Sequence, residues 1–253
     1  MNIFSLKGSR ALITGSGRGL GLRMARGLAE AGAEVVINDR DRERAEAAAK
    51  AIRSDGYSAH VAVFDVTQPA AVRDAVASLE KSVGPVGILI NNAGIHRYGA
   101  LLDLEFSKWE EVLDVNLSGA FLTAQAVGRG MVERQSGKII NICSLMSEVG
   151  RPTTGAYMAA KGGLKMLTRA MTVEWACHNI QANGIAPGYI LTDMTQHLAA
   201  QPEFDGWVKK RTPAARWGTP DDLVGATVFL ASPASDFVNG HILFVDGGLM
   251  ASL

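Results

Sequence analysis

The chain has 253 residues, of which 47% are hydrophobic, enough to bury a large core in one sizeable α/β domain. Its 25 Lys and Arg side chains balance its 25 Asp and Glu side chains, so neither a nucleic-acid-binding surface nor electrostatic attraction to a membrane is indicated. Cys143 and Cys177 form no C-x-x-C pair and no signal peptide is recognisable, so we expect a cytoplasmic protein without a membrane span.

Short apolar segments alternate with longer helical patterns along the chain. The apolar segments are compact, rich in β-branched residues and bounded by Gly or Pro, which is typical of buried strands. They cover residues 10–14, 34–38, 58–64, 87–91, 137–143, 180–186 and 241–246. The segments between them, such as "GLGLRMARGLAEAG", are rich in Ala and Leu and end on Gly. This alternation predicts the α/β class, as a single-domain, Rossmann-like, doubly wound parallel sheet of about seven strands over residues 1–253.

Capping patterns indicate where two of the helices begin. Ser107 with Glu110 has the spacing of a capping box, in which each side chain satisfies a backbone N–H of the other residue. Thr219 is a suitable N-cap residue, and Pro220 follows it at the first helical position, where no backbone N–H is needed. We therefore expect helices to begin directly after Ser107 and after Thr219.

The first predicted strand ends in "TGSGRGLG", residues 14–21. Its glycines, Gly15, Gly19 and Gly21, have the spacing T-G-x-x-x-G-x-G and not G-x-G-x-x-G. Glycines let backbone N–H groups approach a pyrophosphate, and the N-terminus of the following helix favours its negative charge. An ordinary glycine turn between a strand and a helix would explain the same residues. The motif alone leaves both interpretations open.

Polar residues close the next three predicted strands, at the edge of the sheet where ligands bind in this architecture. Asp39 closes the second strand and is placed to accept hydrogen bonds from the adenosine ribose hydroxyls of a dinucleotide. Asp65 closes the third strand, and "NNAG", residues 91–94, closes the fourth. Each could instead be a helix cap or a turn residue. Their recurrence at successive strand ends favours a dinucleotide site.

A tyrosine and a lysine lie one helical turn apart in "YMAAK", residues 157–161. Residues at i and i+4 share one face of a helix, so Tyr157 and Lys161 point the same way if this segment is helical. The alternative is a half-exposed tyrosine beside a solvated lysine, because short motifs often occur by chance.

Taken together, these elements resemble the short-chain dehydrogenase/reductase family. The matching segments are "TGSGRGLG", "DV" at 65–66, "NNAG", "VNLSGAF" with Asn116, Ser144, "YMAAK" and "PGYILT", in the family's order. The resemblance implies an NAD(P)-dependent oxidoreductase with four catalytic residues, Asn116, Ser144, Tyr157 and Lys161. With the strand-end analysis, it predicts cofactor contacts at Gly15, Arg18, Gly19, Leu20, Gly21, Asp39, Arg40, Asp65, Val66, Asn92, Ala93, Gly94, Tyr157, Lys161, Pro187, Gly188, Ile190 and Thr192.

Hydride transfer between a secondary alcohol and nicotinamide explains why these residue types are needed. A proton must move as well, and the pKa of free tyrosine, near 10, is roughly three units too high for a base at neutral pH. We expect the Lys161 ammonium to lower the pKa of Tyr157 and to bind the nicotinamide ribose. Ser144 would orient the reacting oxygen, and it lacks the G-x-S-x-G pattern of a hydrolase nucleophile. The resemblance implies that Asn116, predicted in mid-helix, holds a water that links Lys161 to solvent.

Opposing charges bear on the choice of cofactor. Asp39 would repel the 2′-phosphate of NADP, whereas Arg18 and Arg40 are placed where cations bind that phosphate. We expect NAD(H) to be favoured and NADP(H) to be used measurably. The histidines and cysteines have no metal-ligand spacing, so no metal site is predicted.

Within the family, the second half of the chain resembles gluconate 5-dehydrogenases, in segments such as "KIINICSLMSEVGRP" and "ANGIAPGYILTDM". The resemblance implies a small sugar-acid substrate, gluconate or 5-ketogluconate. Arg97 and Arg151 are candidates to bind its carboxylate, because a guanidinium pairs with carboxylates bidentately, although either could be a solvated loop residue. Met146, Ser144 and Tyr157 complete the predicted substrate contacts.

Two alternatives remain open for the function. One is a 3-oxoacyl thioester (acyl-carrier-protein) reductase, and the other is a non-catalytic nucleotide sensor on the same fold. The complete catalytic set argues against the sensor, which would not need an acid/base pair. Residues 189–215 look like a mobile substrate lid. The resemblance also implies packing of the helix after Tyr157 against a second subunit, in a homotetramer or homodimer.

Overall fold

The structure is a computed structural model that describes residues 2–252, and its seven strands form one parallel sheet. The strands are β1 (Arg10–Ile13), β2 (Glu34–Asp39), β3 (Ala59–Val63), β4 (Ile88–Asn91), β5 (Gly137–Ile142), β6 (Ile180–Pro187) and β7 (Ile242–Val245). All seven predicted strands are found, and no end differs from its prediction by more than one residue. The predicted Rossmann-like sheet is therefore confirmed.

The order of the strands determines at which point along the edge of the sheet a ligand can bind. It is β3-β2-β1-β4-β5-β6-β7, so the chain builds outward from β1 to β3 and then returns to the other side of β1 with β4. In register, Ile13 of β1 pairs with Ile37 of β2 and with Ile90 of β4. The loops that follow these strands consequently leave the sheet side by side. Open α/β sheets bind their ligands at this reversal point.

Helices cover both faces of the sheet. They are α1 (Gly19–Glu30), α2 (Arg42–Ser54), α3 (Pro69–Ser82), α4 (Phe106–Leu113), α5 (Gly119–Arg134), α6 (Gly155–Trp175), α7 (Gln196–Ala199), α8 (Pro202–Arg211) and α9 (Val224–Ala231). Alternate residues of β1 point to opposite faces: Ala11 and Ile13 pack in the core with α1, α2 and α9, and Leu12 packs with α3, α5 and α6. Within residues 2–252, no helix is long and apolar enough to cross a membrane.

The two predicted helix starts have different outcomes. Thr219 begins a helical turn as predicted, with Pro220 next and the Thr219 backbone N–H donating to the Asp222 carboxylate at 2.7 Å. This turn leads into α9. The prediction for Ser107 is wrong, because α4 already begins at Phe106 after an N-cap position at Glu105, and no side chain caps it. Ser107 thus lies within the first turn, where its hydroxyl is not at the capping position.

Candidate active site

The glycine-rich turn after β1 needs glycine for steric reasons that the structure makes specific. Gly15 has φ +61°, and a Cβ there would lie 2.9 Å from Cα of Ala93. At Gly21, in the first turn of α1, a Cβ would lie 2.5 Å from Nδ2 of Asn92 and 2.7 Å from the carbonyl oxygen of Gly15. Any larger residue would push the β1 and β4 loops apart. The turn therefore brings the backbone and the N-terminus of α1 to the edge of the cleft, as a phosphate-binding turn requires.

Hydrogen bonds join the loops after β1 and β4 into one unit. The hydroxyl of Thr14 accepts from the backbone N–H groups of Asn92 and Ala93, at 3.0 Å each. In return, Nδ2 of Asn92 donates to the carbonyls of Thr14 at 2.8 Å and of Gly15 at 3.0 Å. The side chain of Asn92 is thus a brace between the two loops, in addition to its place at the cleft surface.

A cleft of about 550 Å³ opens at the point where the strand order reverses. All but three of the predicted cofactor residues line it: Gly15, Arg18, Gly19, Leu20, Gly21, Asp39, Arg40, Asp65, Val66, Asn92, Ala93, Gly94, Tyr157, Lys161 and Thr192. The three exceptions are Pro187, Gly188 and Ile190. Pro187 is buried as the last residue of β6, and the N–H of Gly188 donates to Val245 of β7. Gly188 and Ile190 line a separate cavity of about 190 Å³.

The charges beside Asp39 differ from those expected from sequence. Asp39 is 6% exposed, and its Oδ2 lies 3.4 Å from Nη1 of Arg44, whose Nη2 donates to Asp41 at 2.9 Å. Arg44 also lines the cleft, as do Arg18 and Arg40. Arg44 is thus the guanidinium in contact with Asp39, whereas the exposed Arg18 lies 3.5 Å from Asp193. Sequence reasoning missed Arg44, although its position in the first turn of α2, close after β2, places it at the ligand-binding edge.

Tyr157 and Lys161 lie in the first two turns of α6, as their spacing predicted. Lys161 is 3% exposed, and its Nζ donates to the carbonyl of Ile142, the last residue of β5, at 2.7 Å. This Nζ lies 5.5 Å from the centre of the Tyr157 ring. Burial lowers the pKa of Lys161 to about 8 and raises the pKa of Tyr157 to about 12. The lowered pKa expected for Tyr157 is thus not found, because Lys161 is directed to the backbone and burial dominates.

Ser144 approaches Tyr157 from the loop after β5. Its Oγ accepts from the N–H of Met146 at 3.1 Å and caps the short helical turn Leu145–Ser147. Its side chain also lies near that of Tyr157, and this proximity opposes the upward shift of the Tyr157 pKa. The capping bond fixes the position of Oγ. The structure therefore brings together Ser144 from the loop after β5 and Tyr157 and Lys161 from α6.

Asn116 lies in a π-helical turn, Asp114–Ser118, between α4 and α5. The expected continuous helix is interrupted there, and such turns occur frequently at functional sites. The side chain is 1% exposed, and its Nδ2 donates to the carbonyls of Ile95 at 2.9 Å and Val112 at 2.8 Å. Its Oδ1 is buried and has no hydrogen-bond partner among residues 2–252, and a Cβ on Gly94 would lie 2.7 Å from it. An unsatisfied buried acceptor fits a site built to hold a water or ligand hydroxyl.

An aromatic stack that sequence reasoning missed lies against the Tyr157 ring. His96 is stacked between Tyr98 and Tyr157, with ring centres 3.9 Å and 4.7 Å away. Burial is the main cause that lowers the pKa of His96 to about 4, and the charges of Arg151, His197 and Arg97 add to it. The only signal in the sequence is its position two residues after "NNAG".

The two predicted carboxylate-binding arginines have different surroundings. Arg97 lines the cleft, but its Nε and Nη2 donate to both carboxylate oxygens of Glu111 on α4, at 2.9 and 2.7 Å. The guanidinium of Arg151 lies 4.2 Å from the centre of the Phe204 ring on α8 and forms no ion pair with the residues that the structure describes. Arg151 also lies near the Tyr189 side chain, where its charge opposes the rise in the pKa of Tyr189 that burial causes. It is therefore better placed than Arg97 to meet an additional carboxylate.

Comparison with known proteins accounts for this arrangement. A family model described as enoyl-(acyl carrier protein) reductase matches residues 15–250. A 5-keto-D-gluconate 5-reductase of Escherichia coli is 52% identical over 252 residues, which cover 100% of this chain and 99% of the relative. The chain belongs to the short-chain dehydrogenase/reductase family. It is an oxidoreductase of that family, and its resemblance to the family is confirmed.

Two further members of the short-chain dehydrogenase/reductase family extend the comparison. A gluconate 5-dehydrogenase of Gluconobacter oxydans is 50% identical over 252 residues, with 100% of this chain and 98% of the relative covered. A crystal structure of a gluconate 5-dehydrogenase from Burkholderia cenocepacia, in complex with NADP and tartrate, has a TM-score of 0.98 and 54% identity. It covers 100% of this chain and 99% of its own. The fold thus coincides with that of solved members over the whole length.

Proposed function

We propose that this short-chain dehydrogenase/reductase interconverts 5-ketogluconate and gluconate with NADP(H). The observation that carries the proposal is that Tyr157 and Lys161 line a cleft of about 550 Å³, with Ser144 near Tyr157 and Arg151 near His96. The relatives and the solved structure named above, at about 50% identity over the full chain, support the sugar-acid substrate. The thioester reductase alternative is not favoured, because these relatives are named for reactions of gluconate and 5-ketogluconate and not of thioesters.

The residues present fit a nicotinamide dinucleotide. The cradle between Gly15, Gly21 and Asn92 admits no Cβ, which is the close backbone approach that a pyrophosphate needs. Asp39 closes the far part of the cleft, where a ribose would lie. When bound, the cofactor supplies the hydride for ketone reduction or accepts it in alcohol oxidation. The chain itself supplies the proton, the orientation of the substrate and the environment.

Tyr157 is assigned the proton transfer. Because burial holds its pKa at about 12, the phenol is protonated at neutral pH and can donate a proton to the ketone oxygen as the C–H bond forms. Ser144 donates a second hydrogen bond to that oxygen and holds it toward Tyr157. In the reverse direction the phenol must first lose its proton, so alcohol oxidation requires alkaline conditions.

Lys161 and Asn116 are assigned the return of that proton from solvent. Lys161 is buried and its pKa is lowered to about 8, so at neutral pH it is protonated and can pass a proton onward. The buried Oδ1 of Asn116 has no partner within the described residues and is oriented toward Gly94 at the cleft. We propose that it accepts a hydrogen bond from a water that links Lys161 to solvent.

Arg151 is assigned the substrate carboxylate. Its guanidinium faces an aromatic ring and has no carboxylate partner among residues 2–252. In Arg97, by contrast, Nε and Nη2 already donate to the carboxylate of Glu111. Arginine binds a carboxylate through two parallel N–H donors, and this geometry fixes the direction in which the substrate extends from Tyr157. Arg97 remains at the edge of the cleft, where its Nη1 donates to the carbonyl of His96 at 3.0 Å.

The cofactor preference is proposed to be NADP(H). The expectation of NAD(H) rested on Asp39, but Arg44 lies against this carboxylate and offsets its charge. Arg40, the next residue after Asp39, and Arg18 also line the cleft, although Arg18 is paired with Asp193. The NADP in the solved gluconate 5-dehydrogenase from Burkholderia cenocepacia supports this choice. A 2′-phosphate would bind beside Asp39, within reach of Arg44.

Three further features belong to the proposal. Residues 189–215, which include α7 and α8, form a substrate lid, and Phe204 on α8 connects that lid to Arg151. The chain is a single domain around one sheet. It assembles as a homotetramer or homodimer, and exposed apolar side chains on α6, such as Met166 and Val173, are available for that contact.

The proposal is tested by measuring which ketone position is reduced. The purified protein is given 5-ketogluconate or 2-ketogluconate with NADPH, and the products are identified by NMR. The two substrates carry the same carboxylate and the same number of hydroxyls, so only the position of the ketone differs. We expect reduction of 5-ketogluconate at C5 and little turnover of 2-ketogluconate, with the Tyr157→Phe variant as the blank. Equal or preferred turnover of 2-ketogluconate would contradict the assignment.

A further inference from the structure

His96 has an orientation fixed by stacking directly against Tyr157. Its ring lies between those of Tyr98 and Tyr157, at interplanar angles of 25° and 26°. The side chain lines the same cleft as Tyr157 and Lys161. Stacked aromatic rings hold one another in a defined offset, so the imidazole edge has a fixed position relative to the phenol. Such a fixed position beside an acid/base group is a means of orienting a substrate.

The hydrogen-bonding capacity of this imidazole is unused within the protein. Neither ring nitrogen of His96 forms a hydrogen bond with residues 2–252, and Nδ1 is buried. A buried polar atom without a partner is uncommon in folded proteins and requires a specific explanation. Because its pKa is lowered to about 4, the ring is neutral at physiological pH, with one nitrogen as donor and the other as acceptor. Nε2 is not among the buried atoms, so it is the nitrogen that a hydroxyl of a polyol substrate can reach.

We propose that His96 is a substrate-positioning residue, which hydrogen-bonds the hydroxyl on a carbon next to the reacting carbonyl. The proposal rests on the assigned sugar-acid reaction and deepens it. The imidazole and phenol ring centres are 4.7 Å apart. Both side chains line one cleft, so a polyol that is held by Tyr157 at one oxygen can present the neighbouring oxygen to His96. Together with Arg151 at the carboxylate, this contact would select the carbon that reacts.

The stacking also explains why the contact would be selective. A hydroxyl bound at the edge of a clamped ring has one allowed direction, because the ring is held from both faces and cannot turn to follow a misplaced substrate. A substrate that lacks this hydroxyl leaves the imidazole nitrogens unsatisfied in the closed complex, so its transition state is bound less tightly. His96 would therefore determine which polyhydroxy ketones are accepted as substrates, whereas Tyr157 would carry out the proton transfer.

The test separates hydrogen bonding from stacking. In His96→Phe the ring and its stacking remain but the nitrogens are lost, whereas His96→Gln keeps a donor and an acceptor without the ring. Tyr98→Phe, on the outer side of the same stack, is the matched control. Each variant is assayed for kcat and KM with 5-ketogluconate and with its 4-deoxy and 6-deoxy analogues, which lack the hydroxyls on the two carbons next to the ketone.

We expect His96→Phe to lower kcat/KM on 5-ketogluconate about tenfold, mainly through KM, which is the size of one lost hydrogen bond. On one of the two deoxy analogues, wild type and His96→Phe should be equally efficient. His96→Gln should retain part of the efficiency, and Tyr98→Phe should lose less than about twofold. An equal loss on all three ketones would show that His96 only packs against Tyr157 and would overturn the proposal.

Failure of the inference is distinguishable from failure of the assigned reaction. If wild type does not reduce 5-ketogluconate, the assigned reaction is wrong, and the same comparison is made on the ketone that is turned over, with and without its neighbouring hydroxyl. If wild type does reduce 5-ketogluconate but the loss in His96→Phe does not depend on the hydroxyl, only the role of His96 is rejected.

Discussion

Replacing Arg151 by methionine tests how the substrate is held at the end remote from Tyr157. Methionine keeps much of the length of the side chain and its contact with the Phe204 ring, which lies 4.2 Å from the guanidinium, but removes the charge and the two parallel donors. Because Arg151 has no ion-pair partner within residues 2–252, the loss should fall on the substrate and not on the fold.

The size of the effect follows from the interaction that is lost. A hydrogen bond between charged groups contributes about 1.5–3 kcal/mol, and about 1.4 kcal/mol corresponds to a factor of ten. We therefore expect KM for 5-ketogluconate to rise about 10- to 100-fold, with a smaller change in kcat. Arg97→Met is the matched control: its guanidinium is 40% exposed and bound to Glu111, so its removal should change KM by less than about fivefold.

The assay compares a charged and a neutral ketone. Initial rates of NADPH oxidation are measured with 5-ketogluconate and with a ketohexose that has no carboxylate. For Arg151→Met, the loss of efficiency should be confined to the acid. An equal loss on both ketones would refute the reasoning, because it would show a structural role for Arg151. A larger loss of efficiency on 5-ketogluconate in Arg97→Met than in Arg151→Met would show that the substrate carboxylate displaces Glu111 from Arg97.

The acid/base assignment predicts that Tyr157→Phe lowers turnover at least ~100-fold while cofactor binding, measured by fluorescence titration, stays nearly unchanged. Tyr57→Phe, a tyrosine at an exposed site, is the control, and full activity in Tyr157→Phe would exclude the role. Since burial raises the pKa of Tyr157 to about 12, the rate of gluconate oxidation should increase from pH 7 to pH 10 and that of ketone reduction should not; an oxidation rate that falls over this range would contradict a protonated phenol. Wild type should be at least about tenfold more efficient with NADPH than with NADH, and Arg44→Gln should reduce that ratio while the exposed Arg42→Gln does not. A ratio unchanged in Arg44→Gln would remove Arg44 from the phosphate site.

The strands and the cleft could be predicted because their signals are local. Each strand is a compact apolar run between turn residues, and the loop glycines and polar residues directly follow the strands. A parallel sheet aligns the ends of its strands, so residues that follow β1, β2 and β4 must meet. For this reason Gly15, Asp39 and Asn92 were placed at the cleft correctly from their positions alone.

The features that could not be predicted depend on contacts between distant segments. His96 stacks on Tyr157 across 61 positions of sequence. Arg44 is the exception, because it lies only five positions after Asp39 and its place at the start of α2 is a local signal. The pKa of Tyr157 was predicted in the wrong direction because the spacing of Tyr157 and Lys161 says nothing about burial. The distance from Lys161 to the Ile142 carbonyl, which decides where the ammonium points, belongs to the packing of α6 on β5.

The most direct test of the sugar-acid assignment is a side-by-side measurement of kcat/KM for NADPH-dependent reduction of 5-ketogluconate and of a 3-oxoacyl thioester, with Tyr157→Phe as the blank for both. We expect efficient turnover of 5-ketogluconate, dependent on Tyr157, and a rate on the thioester close to the blank. Turnover of the thioester with none on 5-ketogluconate would contradict the account and assign the same catalytic residues to acyl-chain reduction.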